Sequence, residues 1–397
     1  MRVELRSMKY VTELLLPADR YEIQDALDKL RLYDSSEVRC RILTCGAVPM
    51  LKGMDLEDDL YRINLLAERI SGSDGNTKIH NVMMSALLKE SCHRTLDELI
   101  AVTYTPDVPV FPCKSYYDYG EIVIDNEWFD EIKNVPDEAV PYLDTYTIGR
   151  EMADREGGFF IDDYYVVPGS YEPADIEITI GKPERSFFCL TIAPKGRDAE
   201  KTGEKYYLPQ DAGRIAEFAH DIGVELDDLE IVDFKSALPN VQPPESSDIN
   251  NAIVYQAVAK KISSRLSDKG VVRLKAAMSL RPPMTVGEIS ELVDNLHRYD
   301  FDAGINGPDG YGFFYLDRFI NDRFDMNAIA DSSFAEIGEA IMTRKGCSLT
   351  DYGLISSMDG SLYGMITKEP EQTDEDLEES DEDCDEQPLE DVDMEMG

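Results

Sequence analysis

The chain has 397 residues, 43% of them hydrophobic, and its 80 Asp and Glu against 39 Lys and Arg give a formal net charge of −41. This length predicts two or three domains. The charge argues against direct binding to nucleic acid, because neutralising phosphates requires Lys and Arg. Residues 369–397 hold 16 of the acids and no Lys or Arg, so residues 1–368 still carry a net charge of −25.

The sequence predicts neither secretion nor membrane insertion. The opening run MRVELRSMKYVTELLL contains no apolar signal segment, and no apolar run approaches the ~20 residues that a membrane helix needs. The seven cysteines are scattered and never form a CxxC motif, which is typical of free thiols in a reducing compartment. We therefore predict a cytoplasmic protein that does not bind membranes.

Residues 1–105 are predicted to form a small sheet and a helical cluster. The residue pattern predicts strands over 1–16 and 38–47. Apolar residues at helical spacing predict helices over 19–32, 58–70, 79–89 and 95–103, with a turn over 51–57. Acids from Asp55 to Asp59 are predicted to crowd the start of the second helix, where the helix dipole favours negative charge.

The aromatic-rich part that follows is predicted to be rich in strands over 108–124, with further strands over 176–180 and 187–193. Residues 196–205 are polar and rich in breakers, and we interpret them as a linker. Beyond them the pattern predicts strands over 229–234 and 312–315, a turn over 306–312, and helices over 211–222, 249–266, 271–278 and 285–298. The highly charged tail, 369–397, is predicted to be disordered.

Two parts of the chain resemble each other at a nearly constant separation. Gly149 and Gly338 each follow an Ile, and each is followed by a Gly eight residues later and an Asp five residues beyond that, at an offset of 189. Three further matches, in the same order, have offsets of 190 to 192: 16–32 with 208–224, 63–70 with 255–262, and 94–100 with 284–290. We therefore predict two homologous modules of about 190 residues. The first spans 1–195, divided into 1–105 and 106–195, and the second, more divergent, spans 206–368.

Motifs of known catalytic sites are absent from the sequence. The four histidines do not pair with another His or a Cys at metal-ligand spacing, and no phosphate-binding loop, zinc-binding helix or nucleophile elbow is present. Paired acids such as Asp162 and Asp163 could bind Mg²⁺ or act as acid and base. Such pairs are expected by chance among 80 Asp and Glu. We predict no catalytic residue, no cofactor and no resident metal.

Acids are interleaved with aromatic residues in two segments, YYDYGEIVIDNEWFDE (116–131) and FFIDDYY (159–165). The simplest interpretation is an aromatic core beneath a solvated acidic face. This explains the net charge of −25 outside the tail less well, since self-repulsion destabilises a compact fold. Carboxylates three or four positions apart on a helix lie about 5–6 Å apart, a spacing of the same order as that of phosphates in DNA. We therefore predict a basic partner.

The stretch VPDEAVPYLDTYTIGREMADREGGFFIDDYYVV (135–167) resembles the C-terminal signature of the ArdA-type antirestriction proteins, with its acidic helix start, Tyr-rich run, Gly-Arg step and Gly turn into a strand. LPADRYEIQDALDKLRL (16–32) and LYRINLLAERI (60–70) resemble two helices from the N-terminal part of that family. The resemblance covers nearly all of residues 10–170. It returns, weakened, over 206–360, where Glu339 stands in the position of Arg150 and Cys347 in that of a second Gly.

The predicted fold is α+β, with two related modules of small antiparallel sheets and helical clusters, elongated and followed by the disordered tail. The resemblance implies a protein without enzymatic activity that mimics B-DNA and occupies the DNA-binding groove of type I restriction-modification enzymes. The implied partner is the methyltransferase and specificity core of such an enzyme, and the implied role is protection of incoming mobile-element DNA. Because family members form dimers of chains about one module long, the tandem predicts a monomeric pseudo-dimer, with a homodimer as the alternative.

The predicted partner-binding surface is a set of acids across which mimicry distributes the binding energy, so that single substitutions are expected to have little effect. The set comprises Asp55, Glu57, Asp58, Asp59, Asp125, Glu127, Asp130, Glu131, Asp137, Glu138, Asp144, Glu151, Asp154, Glu156, Asp162 and Asp163.

Two other functions remain open on the sequence alone. One is a general acidic decoy or adaptor, which would bind any basic DNA-binding protein without preference for restriction enzymes. The other is a carboxylate-metal hydrolase, which Mg²⁺ or Mn²⁺ would stabilise against heat.

Overall fold

The structure, a computed structural model, describes residues 1–33, 35–72, 77–90, 94–104, 108–169, 178, 180–319 and 329–364. Within these residues the fold is α+β, as predicted, with short helices and four small antiparallel sheets. No helix among them is both long enough and apolar enough to cross a membrane. The tail at 369–397 lies outside the described residues, as does most of the strand predicted over 176–180.

In the first half of the chain, residues 1–169, a sheet packs against a helical cluster. The elements in chain order are β1 (Arg2–Ser7), β2 (Tyr10–Leu15), α1 (Arg20–Lys29), β3 (Glu37–Thr44), β4 (Asp55–Asp59), α2 (Leu60–Ser71), α3 (Thr77–Glu90), α4 (Leu96–Val102), β5 (Val110–Phe111), α5 (Tyr116–Asp125), α6 (Thr145–Glu156), β6 (Phe159–Ile161) and β7 (Tyr164–Val166). The sheets have the orders β2-β1-β3-β4 and β5-β7-β6. Leu5 and Ile42 lie in the larger core, on the buried side of strands whose side chains alternate, and Leu60 at the start of α2 packs with them.

The second half, residues 180–364, also consists of helices and two small antiparallel sheets. Its elements are β8 (Phe188–Pro194), α7 (Ala199–Thr202), β9 (Glu204–Leu208), α8 (Arg214–Asp221), β10 (Leu229–Ser236), α9 (Asn250–Arg265), α10 (Asp268–Ser279), α11 (Val286–Asn295), β11 (Phe301–Asp302), α12 (Pro308–Phe319), α13 (Asp331–Lys345), β12 (Ser348–Thr350) and β13 (Gly353–Ile355). The sheets have the orders β10-β8-β9 and β11-β13-β12. Leu190, Ile262 and Leu274 belong to the main core of this half.

Two helix pairs cross so closely that only glycine fits at the contact. In the pair α5 and α6, a Cβ on Gly120 would overlap the carbonyl oxygen of Thr145, and one on Gly149 would overlap that of Tyr116. In the pair α12 and α13 the same relation holds between Gly312 and Phe334. The absence of a Cβ therefore allows backbone to pack directly on backbone.

Local patterns correctly predicted the helices that carry clear caps and three of the longer strands. The predicted helices over 19–32, 95–103 and 285–298 correspond to α1, α4 and α11, and each of these begins with a reciprocal capping box. The predicted strands over 38–47, 187–193 and 229–234 correspond to β3, β8 and β10. These elements carry their own hydrophobic periodicity, so local sequence suffices to identify them.

Two predicted strands are wrong. The aromatic passage 108–124 is largely the helix α5, with only the short strand β5 before it, and residues 312–315 lie in the helix α12. The aromatic and branched side chains of both segments favour strands. Tertiary packing overrides this preference, because Gly120 and Gly312 let each segment form a helix against its neighbour.

The N-terminal segment 1–16 and the acidic segment 51–59 also differ from the prediction. Residues 1–16 form the two strands β1 and β2, which turn at Met8, whose φ is 50°. Asp55 to Asp59 form the edge strand β4, paired with β3, instead of a turn and a helix start. Only Asp59 caps α2, accepting a hydrogen bond from the Tyr61 N–H at 2.7 Å. The pairing with β3 depends on residues about 18 positions earlier, which a local pattern does not contain.

The segment predicted as a linker, 196–205, connects two strands of one sheet. β8 pairs with β9 in register from Phe188 with Leu208 to Ile192 with Glu204. The residues on either side of this segment therefore belong to the same structural unit.

A buried network of charges joins the two halves. The Lys275 ammonium group on α10 is 1% exposed and lies 2.8 Å from carboxylate oxygens of both Asp25 and Asp28 on α1. The Arg185 guanidinium donates two hydrogen bonds to Asp28, at 2.7 and 2.8 Å, and the Tyr352 hydroxyl donates one to Asp25 at 2.7 Å. Burial raises the pKa of both carboxyl groups, but Lys275 acting together with Lys29 at Asp25 and with Arg185 at Asp28 outweighs it, so each pKa lies below its usual value.

We expect Lys275→Met to lower the free energy of unfolding by about 3–5 kcal/mol, because it removes one counter-charge from the fully buried Asp28 and one from the partly buried Asp25. Urea unfolding followed by circular dichroism measures this. The matched control is Lys260→Met on α9, an exposed position without an ion pair among the described residues, where a change within about 0.5 kcal/mol is expected. Equal losses in the two variants would contradict a special role for the buried network.

We expect Gly312→Ala to destabilise the protein by about 1–3 kcal/mol, because the added methyl forces two helix backbones apart. Gly310→Ala in the same helix is the control, since a Cβ there meets nothing within 4 Å, and the substitution removes backbone freedom from the unfolded chain. It should leave stability unchanged or raise it slightly. Thermal unfolding of both variants tests this, and a stable Gly312→Ala protein would show that the close contact is not required.

Candidate protein-binding surface

Most of the predicted acids belong to one small structural unit, α5 and α6 with the sheet β5-β7-β6, which we call the α5–α6 unit (residues 108–167). Asp144 caps α6, accepting hydrogen bonds from the Thr147 N–H at 3.1 Å and its hydroxyl at 2.8 Å. Gly157 ends the helix in the left-handed conformation, with φ of 71°, as is common after helices. The chain then forms the β6–β7 hairpin, in which Ile161 pairs with Tyr164 across Asp162 and Asp163.

The aromatic residues of this unit form its core. The Tyr119 and Tyr165 rings are fully buried with centroids 4.1 Å apart, and Phe160 contacts Tyr165 at 5.1 Å. The Tyr119 hydroxyl donates a hydrogen bond to Glu156 at 2.5 Å. Burial, followed by the Glu156 carboxylate, raises the pKa of Tyr119 far above its usual value, so this hydroxyl stays a donor. The interleaved sequence therefore separates into an aromatic interior and an acidic exterior.

The sixteen predicted acids are solvent-accessible, and all but Asp58, Asp59 and Glu156 are largely exposed. They lie in two places, because β4 carries Asp55, Glu57, Asp58 and Asp59 and the α5–α6 unit carries the other twelve. The structure thus places twelve of the sixteen predicted acids in one structural unit and the other four on a strand of a different sheet.

The β4 acids are largely neutralised by arginines. Glu57 lies 3.3 Å from the Arg39 guanidinium and Asp55 lies 4.0 Å from that of Arg41, both across the pairing with β3. Asp58 pairs with Arg62 at 2.9 Å. Asp59, besides capping α2, accepts a hydrogen bond from the Ser36 hydroxyl. These acids therefore present much less unbalanced charge than their sequence indicates.

In the α5–α6 unit, by contrast, most acids lack a counter-ion. Lys133 and Arg155 neutralise Asp130 and Glu131, at 2.5 and 2.7 Å, and Lys114 lies 3.6 Å from Asp163. No ion pair with a described Lys or Arg is formed by Asp125, Glu127, Asp137, Glu138, Asp144, Glu151, Asp154 or Asp162. Hydrogen bonds from the Thr147 backbone and side chain lower the pKa of Asp144. This group of carboxylates is the candidate binding surface.

Glu121 is a further acid of this surface that the sequence analysis missed. It is exposed, forms no ion pair with the described cations, and lies on α5 between Tyr117 and Asp125 at four-residue spacing. Side chains four positions apart share a helix face. The signal was hidden because the segment was predicted as a strand, where residues four positions apart share a face but lie about 13 Å apart instead of one helical turn.

Exposed aromatic rings accompany the acids. Tyr142 is 88% exposed, and Tyr117, Tyr146 and Trp128 are each at least 40% exposed. Trp128 and Phe111 line a cavity of about 670 Å³ together with Glu127, Glu156 and Lys133. Glu127 follows α5 with φ of 50°, in the left-handed position that glycine usually takes. Aromatic faces beside carboxylates suit the side chain of a Lys or Arg.

The exposed faces of α12 and α13 differ in character from those of α5 and α6. Phe313 and Phe314 are exposed there, and Phe313 lies 192 positions after Glu121. Glu336 and Glu339 are exposed on α13. The second helix pair is thus more apolar than the α5–α6 unit.

Among the described residues, no group of three His, Cys, Asp or Glu side chains is placed to hold a metal ion. Of the four histidines, His220 and His297 are exposed. Cys40, Cys45, Cys113, Cys189 and Cys347 are buried free thiols.

Comparisons of the chain with family models, with curated proteins and with solved structures found no match.

Proposed function

We propose that this chain is an antirestriction protein of the ArdA type, which occupies the DNA-binding groove of a type I restriction-modification enzyme by presenting carboxylates in place of phosphates. The observation that carries the proposal is the α5–α6 unit, where acids without counter-ions cover a rigid aromatic core. The signature resemblance falls on this same unit. In this role the chain acts in the cytoplasm without catalysis.

The physical basis is electrostatic complementarity. A groove that binds DNA carries Lys and Arg placed to neutralise phosphates, and its cations should bind a second acidic surface that offers charge at comparable spacing. Helices suit this task because they hold side chains at fixed intervals of 1.5 Å rise per residue. Packing through Gly120 and Gly149 restrains α5 against α6, which lowers the entropy lost when a partner binds.

We also propose that the chain contains two homologous modules and acts as a pseudo-dimer. In each half the first strand is central in its sheet, between the second and third strands (β1 and β8), and the last strand is central in the other sheet (β7 and β13). Gly120 and Gly312 make equivalent helix contacts at an offset of 192, and Gly149 and Gly338 at one of 189. The boundary in this proposal falls before β8, since residues 196–205 connect two strands of one sheet.

The proposal predicts that the protein displaces a labelled target duplex from a type I methyltransferase core complex at near-stoichiometric concentration. Fluorescence anisotropy of the duplex measures the displacement. A housekeeping DNA-binding protein with its own duplex is the control for specificity. Equal displacement from both would indicate a general acidic decoy, and failure to displace either duplex would refute DNA mimicry.

Charge-matched variants locate the surface in the same assay. The triple variant Glu121→Gln, Glu138→Gln and Glu151→Gln removes three unpaired charges from the α5–α6 unit, and we expect it to weaken inhibition by about 10-fold or more, because charge complementarity sets both encounter rate and affinity. The control triple is Glu217→Gln, Glu245→Gln and Glu291→Gln, three exposed acids of the second half. Equal weakening by the two triples would show that net charge alone matters.

A pseudo-dimer predicts that the particle in solution has the mass of one chain, 44.8 kDa. Light scattering coupled to size-exclusion chromatography measures this mass. A particle of twice that mass would favour a homodimer instead.

A further inference from the structure

A cavity of about 660 Å³ lies between the two halves, apart from the α5–α6 unit. Residues of the first half, Tyr10, Arg31 and Tyr33, line it together with Lys269 and Arg273 of α10 and with the β11 region. Its volume is within the range of small-molecule sites. Three cations meeting at one cavity is unexpected in a chain with a net charge of −41.

Arg31 is held in place by neutral groups only. Its φ of 63° is in the left-handed region, and its guanidinium lies over the Tyr10 ring at 4.7 Å. Nε donates a hydrogen bond to the Ala303 carbonyl at 3.0 Å, and Nη1 donates to the carbonyls of Asp28, Lys29 and Asp351. No described carboxylate forms an ion pair with it, so the position of Arg31 is fixed while its charge is not neutralised.

Two further donors at this cavity are buried without a partner. The Arg273 Nε and the Tyr33 hydroxyl are both shielded from solvent and form no hydrogen bond within the described residues. Burial lowers the pKa of Arg273 despite the opposing charge of Asp300. Buried polar groups are nearly always hydrogen-bonded, so these two residues of the cavity lining have donor capacity that the described residues leave unused.

The acids at the cavity are engaged with the protein itself. Asp300 accepts hydrogen bonds from the N–H groups of Phe301 and Leu362, each at 3.0 Å. Asp302 accepts one from the Gly304 N–H at 2.7 Å and another from the Tyr363 hydroxyl. Their carboxylates are therefore held by donors of the protein itself, and the lining contains three cations against these two acids.

The cavity also adjoins the first turn of α10, since Ser267 and Gly270 line it. The first backbone N–H groups of a helix have no intrahelical acceptor and favour an anion. Ser267 satisfies one of them by accepting from the Gly270 N–H at 3.3 Å. The helix dipole thus adds to the field of Arg31, Lys269 and Arg273.

We propose that this cavity binds a small phosphate-bearing molecule. A phosphate group offers several acceptor oxygens, and the available donors are the charged and hydroxyl groups that bind phosphate in proteins. The rings of Tyr10 and Phe301 in the lining provide an apolar wall for the remainder of the molecule. Because the site is formed by both halves, its ligand stabilises their association.

The test is calorimetric titration of the full-length chain with ribose 5-phosphate and with inorganic phosphate, with ribose and acetate as controls. We expect saturable binding of the two phosphates in the millimolar range or tighter, a rise in Tm with ribose 5-phosphate, and no binding of ribose. Binding of ribose 5-phosphate but not of inorganic phosphate supports a phosphate ester as the ligand. Acetate binding as tight as that of ribose 5-phosphate, or no saturable binding of either phosphate compound, would overturn the proposal.

Variants assign the binding to the cavity. Arg273→Gln and Lys269→Gln should each weaken phosphate binding about 10-fold, the effect of losing one charge-assisted hydrogen bond. Lys269 is exposed, so its replacement tests the site even if Arg273→Gln impairs folding. Lys260→Gln, which makes the same charge change on α9, should leave the affinity unaltered. Equal weakening by Lys260→Gln would show nonspecific attraction of anions and refute the cavity as the site.

Discussion

The buried contact between Lys275 and the two carboxylates of α1 is the interaction on which the arrangement of the halves depends. A charged group with 1% exposure is stable only if opposite charges lie beside it. Asp28, also fully buried, is shared between Lys275 and Arg185. Any other relative position of the halves would leave these groups unpaired, so the network favours one arrangement far more strongly than apolar contacts alone would.

This network also accounts for part of the uneven charge of the surface. The chain has about half as many cations as acids, and several cations serve structural contacts: Lys275 and Arg185 at the junction, and Arg39, Arg41 and Arg62 around β4. The α5–α6 unit contains few cations and keeps unpaired acids. The surface proposed to bind a basic groove is therefore negative for two reasons: it contains many acids, and few cations lie near enough to balance them.

The glycine contacts explain how such a surface can be rigid although its core is small. Gly120 and Gly149 bring α5 and α6 into backbone contact, and the Tyr119, Tyr165 and Phe160 rings fill the space against the hairpin. The α12 and α13 pair uses the same contact but exposes Phe313 and Phe314. The same glycine contact between two helices thus occurs beneath two surfaces of different chemistry, because it constrains only the residues on the inner face of each helix.

The sequence by itself determined the α+β class, the helices α1 to α4 and α8 to α11, the strands β3, β8 and β10, and the acidity of residues 135–163, since caps, periodicity and charge are local properties. Only the tertiary structure decided the rest. The residues of α5 favour a strand, but the segment is a helix because its backbone at Gly120 packs directly against Gly149, 29 positions later. Strand pairing places Glu57 and Asp55 of β4 beside Arg39 and Arg41, whose charges balance theirs. Lys275 is buried because Asp25, 250 positions earlier, lies beside it. A local sequence pattern contains no information about contacts between residues so far apart in the chain. These contacts decide which carboxylates remain without an ion pair.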